Sequence, residues 1–492
     1  MAGKNKNKND FPSVKKNFLY RLAYELLILI TPFITTPYVS RVLGADGIGI
    51  YSYTSSIMTY FTLFAVLGTT YYGEREIAQH RDNKSEASKL FWEIELMTVI
   101  TSSICIFLWI GVVIFSTEYG YYFLALLPLL FGSMADISWY YTGYEQIKYI
   151  VIRNFICKIA GILLLFAFVR TRNDLFIYIL INSAITLAGN LSMWTYLPRM
   201  LVKVDFCTLH FRRHFKETLI YFIPTIATSI YTVLDKTLIG IITEDSYQNG
   251  YYEQATKIVN IIKNVVFSSV NAVMGSRIAY LFAQEKYEEI RRRIQRSMDF
   301  ILLLGYGAFF GLIGVADKFV PVFLGDGYGP VVSLLYAMAP LIIIIGVSNC
   351  LGSQYYSPSG QRVRSAKVII LGSLVNLCLN LVMIPWLGGI GAVAASVAAE
   401  LVISVLYVNM SDGYMTAKML WNCSFKRLIA GIMMCFGVIL TGELLRNLVI
   451  WRLVIQIMVG GCVYGAVLIY MQDGMLLELI RMVWKAAFNK KK

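Results

Sequence analysis

About fourteen long apolar segments follow one another along this 492-residue chain, joined by short connections. A hydrocarbon core about 30 Å thick takes roughly 20 apolar residues per helical crossing. The segments at 18–41, 48–72, 90–115, 120–143, 149–169, 174–197, 217–242, 251–281, 298–320, 331–355, 366–386, 389–410, 427–445 and 451–471 reach that length. Inside lipid every backbone amide and carbonyl must be paired within the protein, so such segments are helices. Barrel strands would be about ten residues long and alternate in polarity. A composition that is 57% hydrophobic is too apolar for a soluble domain of this size. The pattern predicts an all-α, polytopic membrane protein of about fourteen transmembrane helices.

Charge fixes an expected orientation. Of the 44 lysines and arginines, only Arg41, Arg170, Arg172, Lys318, Arg446 and Arg452 fall in one set of alternate connections. Most of the rest, including Arg75, Arg81, Arg199, Arg212, Arg291 and Arg292, fall in the other set. This asymmetry places both termini in the cytoplasm. The net charge of +14 is explained by basic loops beside anionic headgroups, and no nucleic-acid partner is implied.

The expected organisation is a cytosolic tail (1–17), an N-lobe of helices 1–6 (18–197), a cytoplasmic linker (198–216), a C-lobe of helices 7–12 (217–410), two further helices (411–471) and an amphipathic cytoplasmic tail (472–492). The first apolar stretch is too long for a signal peptide and lacks a small-residue cleavage site. The eight cysteines have no metal-ligand spacing and read as apolar filler, and His80, His210 and His214 all lie in cytoplasmic connections. No catalytic or metal-binding set is visible. No loop exceeds about twenty residues and no phosphate loop is present, so the chain carries no ATP-driven motor.

A weak internal repeat supports two lobes. Arg41-Val-Leu-Gly, Tyr51, Ile57 and Gly73-Glu-Arg75 correspond to Lys236-Thr-Leu-Ile-Gly, Tyr252, Ile258 and Gly275-Ser-Arg277. A shift of six spans preserves topology, which makes the halves parallel repeats. Transporters built this way hold their substrate between repeats.

Polar groups inside the spans carry the functional expectation, because a mid-bilayer charge costs roughly 2.5–3.5 kcal/mol on insertion scales. Arg21 and Glu25 are spaced i, i+4 in the first span. Thr225, Thr228, Thr232 and Asp235 share one face of the seventh, with Lys236 next to it. Glu253, Lys257, Asn260, Asn264, Ser268 and Asn271 form a stripe on the eighth that is too polar for lipid. Asn376 and Asn380 read either as interhelical glue or as part of the same wet region. Arg21, Lys236, Lys257 and Arg277 are the candidate substrate-binding cations, with Glu25, Asp235, Glu253, Asn260, Asn264 and Asn271 as polar lining. A basic cavity suits a phosphate-bearing substrate. Gly388, Gly389, Gly391 and the run from Ala392 to Ala399 read as a close-packing helix face. Glu400 is left as an unexplained intramembrane acid. Glu25, Asp235 and Glu400 are the candidate ligands for a coupling Na⁺ or H⁺, and no cofactor is expected. Pro32, Pro37 and Pro224 are expected to kink the first and seventh spans.

Three passages carry a family resemblance. Asp136-Ile-Ser-Trp-Tyr-Tyr-Thr-Gly-Tyr-Glu145 resembles the fourth-span motif of the polysaccharide (O-antigen and capsule) flippases of the Wzx type. The passages from Pro224 to Lys236 and from Gly250 to Ile258 are similar to their seventh and eighth spans. The resemblance implies the fold of the MATE-like (MOP) exporter superfamily and no enzymatic step. It implies an undecaprenyl-pyrophosphate-linked oligosaccharide as substrate and alternating access as mechanism. Coupling to a Na⁺ or H⁺ gradient or to membrane potential is expected. Membrane lipids, a polysaccharide polymerase and glycosyltransferases are the expected partners, and a bacterial cytoplasmic membrane the location. The rivals are a lipid II flippase, a MATE-type multidrug or cation antiporter and, from another class, a membrane glycosyltransferase or polymerase. Within the motif, Asp136, Trp139, Gly143 and Glu145 are expected to shape the inner end of the fourth span. Trp139, Tyr140 and Tyr141 read as an interfacial aromatic belt, and Asp136 and Glu145 as partners of cations such as Lys148 or Arg153.

Overall fold

Amides that have no water to bond must bond one another, and among the described residues every regular element is helical. A computed structural model describes the backbone of residues 14–445 and 449–488. Side chains are described from Leu27 onward, except at 224, 227, 228, 230, 231, 268, 269, 271–273, 275, 276, 446–450 and beyond 485. The chain divides into two compact units, Met1–Ser229 and Ile230–Lys492. The first holds α1 (Val14–Val66), α2 (Thr69–His80), α3 (Lys84–Phe115), α4 (Gly120–Met134), α5 (Ser138–Gly143), α6 (Ile147–Phe168) and α7 (Leu175–Met193). Helix α8 (Arg212–Thr243) runs across the division. The second unit holds α9 (Ser246–Ala283), α10 (Tyr287–Leu324), α11 (Gly329–Met338), α12 (Pro340–Leu351), α13 (Arg362–Leu387), α14 (Gly389–Asn409), α15 (Ala417–Leu444), α16 (Val449–Tyr470) and α17 (Gly474–Phe488).

Eleven helical segments among the described residues are long and apolar enough to cross a membrane. The difference from fourteen has two causes. The first two expected spans form one continuous run, α1, broken only where Gly44 leaves helical geometry (φ 71°, ψ 175°). Pro32 and Pro37 lie within helix, so the break falls at a glycine able to adopt positive φ and not at the prolines. The expected seventh and eighth spans, α8 and α9, each include residues outside those described, so the count does not bear on them.

Helix starts follow local chemistry. The Asn83 side chain accepts from the Glu86 amide (3.3 Å) to begin α3, and Asp245 accepts from the Tyr247 amide (2.9 Å) to begin α9. In the first unit, the turn between α1 and α2 is sealed by α8. Gly68 there has φ 76°, and a Cβ on it would sit 2.7 Å from the Thr218 carbonyl oxygen. The start of α8 is fastened to α3 by ionic contacts. Glu93 accepts from the His210 amide (2.8 Å), from Arg213 (2.6 Å) and from His214 (2.7 Å), and Tyr72 bonds the other ring nitrogen of His214 (2.6 Å).

In the second unit, α15 and α16 pack on α10. A Cβ on Gly431 would lie 2.1 Å from the Phe310 ring, which is how closely α10 and α15 approach. Buried Arg427 ties them further, at 3.2 Å from both Asp299 and Asp473. The tail helix α17 is amphipathic as expected. Leu476 and Leu479 pack against Leu303, Ala430 and Leu468, Glu478 pairs with Arg296, and Val483 and Trp484 are exposed.

The internal repeat extends beyond the segments read from sequence. Ser138-Trp-Tyr-Tyr141 at the start of α5 has a counterpart in Ser353-Gln-Tyr-Tyr356, in a π-helical turn (Gly352–Tyr356) after α12. The second tyrosine does the same job in both. Tyr141 donates to the Met193 carbonyl at the end of α7 (2.6 Å), and Tyr356 to the Tyr407 carbonyl near the end of α14 (2.9 Å).

Gly68→Ala combines a positive-φ penalty with a backbone clash, roughly 1–3 kcal/mol together. It is expected to lower the unfolding temperature in detergent. Gly474→Ala, which meets nothing within 4 Å, is expected to leave it unchanged. Equal melting of the two variants would contradict the packing of α8 on the α1–α2 turn.

Candidate functional site

Polar groups of the expected seventh and eighth spans enter two arrangements, both inside the second unit. The first is ionic. Glu253 on α9 holds two lysines at once: Lys236 Nζ of α8 lies 2.6 Å from Oε2, and Lys257 Nζ, one turn along α9, lies 3.3 Å from Oε1. Side-chain exposures are 10% for Glu253, 23% for Lys236 and 32% for Lys257, so a buried acid carries two half-buried cations. Two lysines share one carboxylate, which leaves a net positive charge. The Asn249 amide donates to the Lys236 carbonyl (2.8 Å) and fixes the α8–α9 turn beneath them. Further along α9, Asn260, Asn264 and Arg277 are exposed.

The second arrangement centres on Asp235, one residue before Lys236 and 4% exposed. Tyr252 and Ser396 both donate to its Oδ2 at 2.5 Å, and Asn380 donates to Oδ1 at 2.7 Å. Asn376 supports the set, accepting from Asn380 (3.0 Å) and donating to Ser396 (3.2 Å). Four helices thus converge on one carboxylate. The buried Oδ1 of Asn380 finds no partner. The nest is rich in oxygen, carries a single acid and has a spare carbonyl beside it. Oxygen donors of this kind suit a hard cation or a proton. Asn376 and Asn380, both read above as glue or wet lining, belong to this nest. Ser396, read as part of a close-packing face, supplies a donor there.

Glu400 of α14 is buried, with Ser348 at 3.5 Å and Lys263 within electrostatic reach. Arg21, Glu25 and Asn271 lie outside the residues whose side chains are described.

The fourth-span motif lies in the first unit, across the α4–α5 connection and α5. Trp139, Tyr140 and Tyr141 are 2%, 0% and 0% exposed, so they are not an interfacial belt. They pack with Phe91, Ile77 and Tyr72 into one core. Small residues make this possible: a Cβ on Gly73 would lie 2.4 Å from the Trp139 ring, and one on Gly143 2.7 Å from Ile77. Asp136 accepts from the Ser138 amide (2.9 Å) and lies 3.9 Å from Arg153. Glu145 pairs with Arg81 (2.8 Å) rather than with Lys148.

Sequence reasoning passed over Glu93 and Glu95. Two acids in an otherwise apolar span are the same signal that singled out Asp235 and Glu400.

Paired charges held between long apolar helices define a polytopic helical membrane protein, and solved structures share its fold. The fold is similar to that of the lipid II flippase MurJ in its inward closed conformation, with TM-score 0.75 and 16% identity over 93% of this chain and 99% of that one. It is also similar to a multidrug resistance MATE family transporter of the MOP superfamily in an inward-facing conformation, with TM-score 0.60 and 12% identity over 84% of this chain and 98% of that one. The chain belongs to the polysaccharide biosynthesis protein family, which it matches over residues 14–274. Among its relatives is a protein of Escherichia coli (strain K12) provisionally named an O-antigen transporter, 24% identical over 80% of this chain and 95% of that protein. Another, from Haloferax volcanii, is provisionally named the low-salt glycan biosynthesis flippase Agl15, 23% identical over 53% of each chain.

Removing one partner from a buried ion pair strands the other. Glu253→Gln leaves two lysines without a counter-ion and is expected to destabilise the protein most, by roughly 1–3 kcal/mol. Lys236→Gln should follow, and Lys257→Gln should cost least because the shorter contact survives. Thermal unfolding in detergent reads the order, and a larger loss for Lys257→Gln than for Glu253→Gln would contradict the arrangement.

Proposed function

We propose that this protein is a flippase that moves a lipid-linked glycan unit across the bacterial cytoplasmic membrane, with both termini in the cytoplasm, for O-antigen, capsule or exopolysaccharide assembly. The observation that carries the reading is the Lys236–Glu253–Lys257 cluster, a net positive charge set among helices of a transporter fold. Relatives of the chain are named as an O-antigen transporter and a glycan biosynthesis flippase, and the residues assembled here perform no bond chemistry.

The substrate proposed is an undecaprenyl-pyrophosphate-linked oligosaccharide. A pyrophosphate leaving the headgroup layer loses hydration, and fixed ammonium donors restore part of it. Lys257, the more exposed of the two lysines, makes the contact, and Lys236 keeps Glu253 occupied so that Lys257 is released to it. Arg21 and Arg277 are proposed to guide the headgroup. The driving force is proposed to be a Na⁺ or H⁺ gradient acting at Asp235, whose nest has a carboxylate, two hydroxyls and a spare amide oxygen. Cation uptake there reorganises four helices, one of which also carries Lys236. A polymerase and glycosyltransferases are the proposed partners on either side of the transport step. The MurJ-like fold keeps lipid II as a second substrate reading, while the names of the sequence relatives favour a polysaccharide repeat unit.

Losing one charge-assisted contact costs about 1.5–3 kcal/mol, roughly tenfold to a hundredfold in binding. In cells lacking the native gene, Lys257→Ala and Lys257→Glu are expected to abolish surface glycan while the protein still reaches the membrane. Lys257→Arg is expected to export in part, and Asp235→Asn to remove dependence on the ion gradient. Full export by Lys257→Glu would overturn the headgroup role.

A further inference from the structure

Two acids on α3, separated by one residue, meet opposite surroundings. Glu93 has both oxygens occupied, by the His210 amide, Arg213 and His214. Glu95 is 2% exposed, and neither of its oxygens has a hydrogen-bond partner. It lies one turn beyond Phe91, whose ring stacks on Trp139 at 5.6 Å between centroids. In the neighbouring motif the buried Trp139 Nε1 is likewise without a partner. Among the described residues, Asp136 is the one charged group whose field reaches Glu95; Arg213 and His214 at the start of α8, which also packs on α3, are taken up by Glu93. Asp136 has its own compensation in the Ser138 amide and Arg153, and Arg153 in turn donates to Asn190 (3.0 Å).

An ionised carboxylate buried without a donor or a counter-ion costs several kcal/mol, and a second acid nearby adds to that cost. The neutral acid avoids both penalties. We propose that Glu95 is a proton-binding site of the first unit: it carries a proton taken from solvent and returned to it, beside Asp136, which has Arg153 as its own partner. The site is separate from Asp235, which belongs to the second unit, and it does not depend on the identity of the transported substrate. It lies at the foot of the Asp136–Glu145 motif, so release of the proton places a second negative charge against that packed core. Proton occupancy of Glu95 and the packing of α5 are therefore linked.

The test uses purified full-length protein reconstituted in lipid at neutral pH. The infrared difference spectrum between wild type and Glu95→Gln should show the loss of one protonated-carboxyl carbonyl band, with no change in the ionised-carboxylate bands. Loss of an ionised-carboxylate band instead would overturn the proposal. A second measurement uses wild-type protein alone, should the variant not fold. A hydrophobic carbodiimide adds a protonated carboxyl across its carbon–nitrogen double bond, the acid proton passing to nitrogen, and yields an N-acylurea. Peptide mass spectrometry should find this adduct on Glu95 at neutral pH. An unmodified Glu95 in a sample where other buried acids are labelled would count against the site.

Discussion

A charge inside a hydrocarbon slab needs compensation within reach, and Glu253 is where this chain meets that demand most tightly. Its carboxylate accepts two ammonium groups from adjacent helices, at 2.6 and 3.3 Å. One acid cannot neutralise two bases, so positive charge remains in a place where lipid tolerates none. The Asp235 nest, one residue before Lys236, meets the same demand with hydrogen-bond donors from neighbouring helices. A helix pair so costly to bury is kept for what it binds.

Within each unit, an aromatic cluster packs where two helices end. Tyr141 and Tyr356 each donate to the carbonyl terminus of a long helix, so both units close the same way. They differ at the preceding tyrosine. Tyr355 reaches Asp412 in the connection after α14, and that contact, with Gln361 and Arg364, holds the Asp412 carboxyl below the usual carboxylate range. Tyr140 meets Tyr144 and Ser88 and no acid, and Glu95 on α3 has no donor. The duplicated latch is complete in one unit and open in the other, which is where a proton fits.

The architecture was legible because its governing variable, the length of apolar runs, is written directly in the chain. Glu253 with Lys257 was legible too, since a spacing of four residues on one helix fixes neighbours. The second lysine on Glu253 was not, because Lys236 comes from another helix and its reach depends on the α8–α9 turn. Nor was the assembly around Asp235: Ser396 sits in a run of small residues that spacing reads as packing, and Asn380 arrives from α13. The break at Gly44 falls in the interval between the first two apolar runs, 18–41 and 48–72, whereas Pro32 and Pro37, expected to kink the first run, lie within helix. Trp139, Tyr140 and Tyr141 were read as a belt since their residue types suit an interface equally well. Only tertiary contact with Phe91 and Gly73 shows them to be core.

The central claim is that positive charge on α8 and α9 carries a phosphate-bearing glycolipid across the bilayer. Reconstitution into liposomes with a lipid-pyrophosphate oligosaccharide in one leaflet tests it most directly, by the accessibility of the sugar to an enzyme sealed inside. The account predicts that the sugar becomes accessible with the wild-type protein and stays inaccessible with Lys236→Gln/Lys257→Gln. Equal transfer by the two proteins, or none by the wild type under an imposed ion gradient, would contradict it.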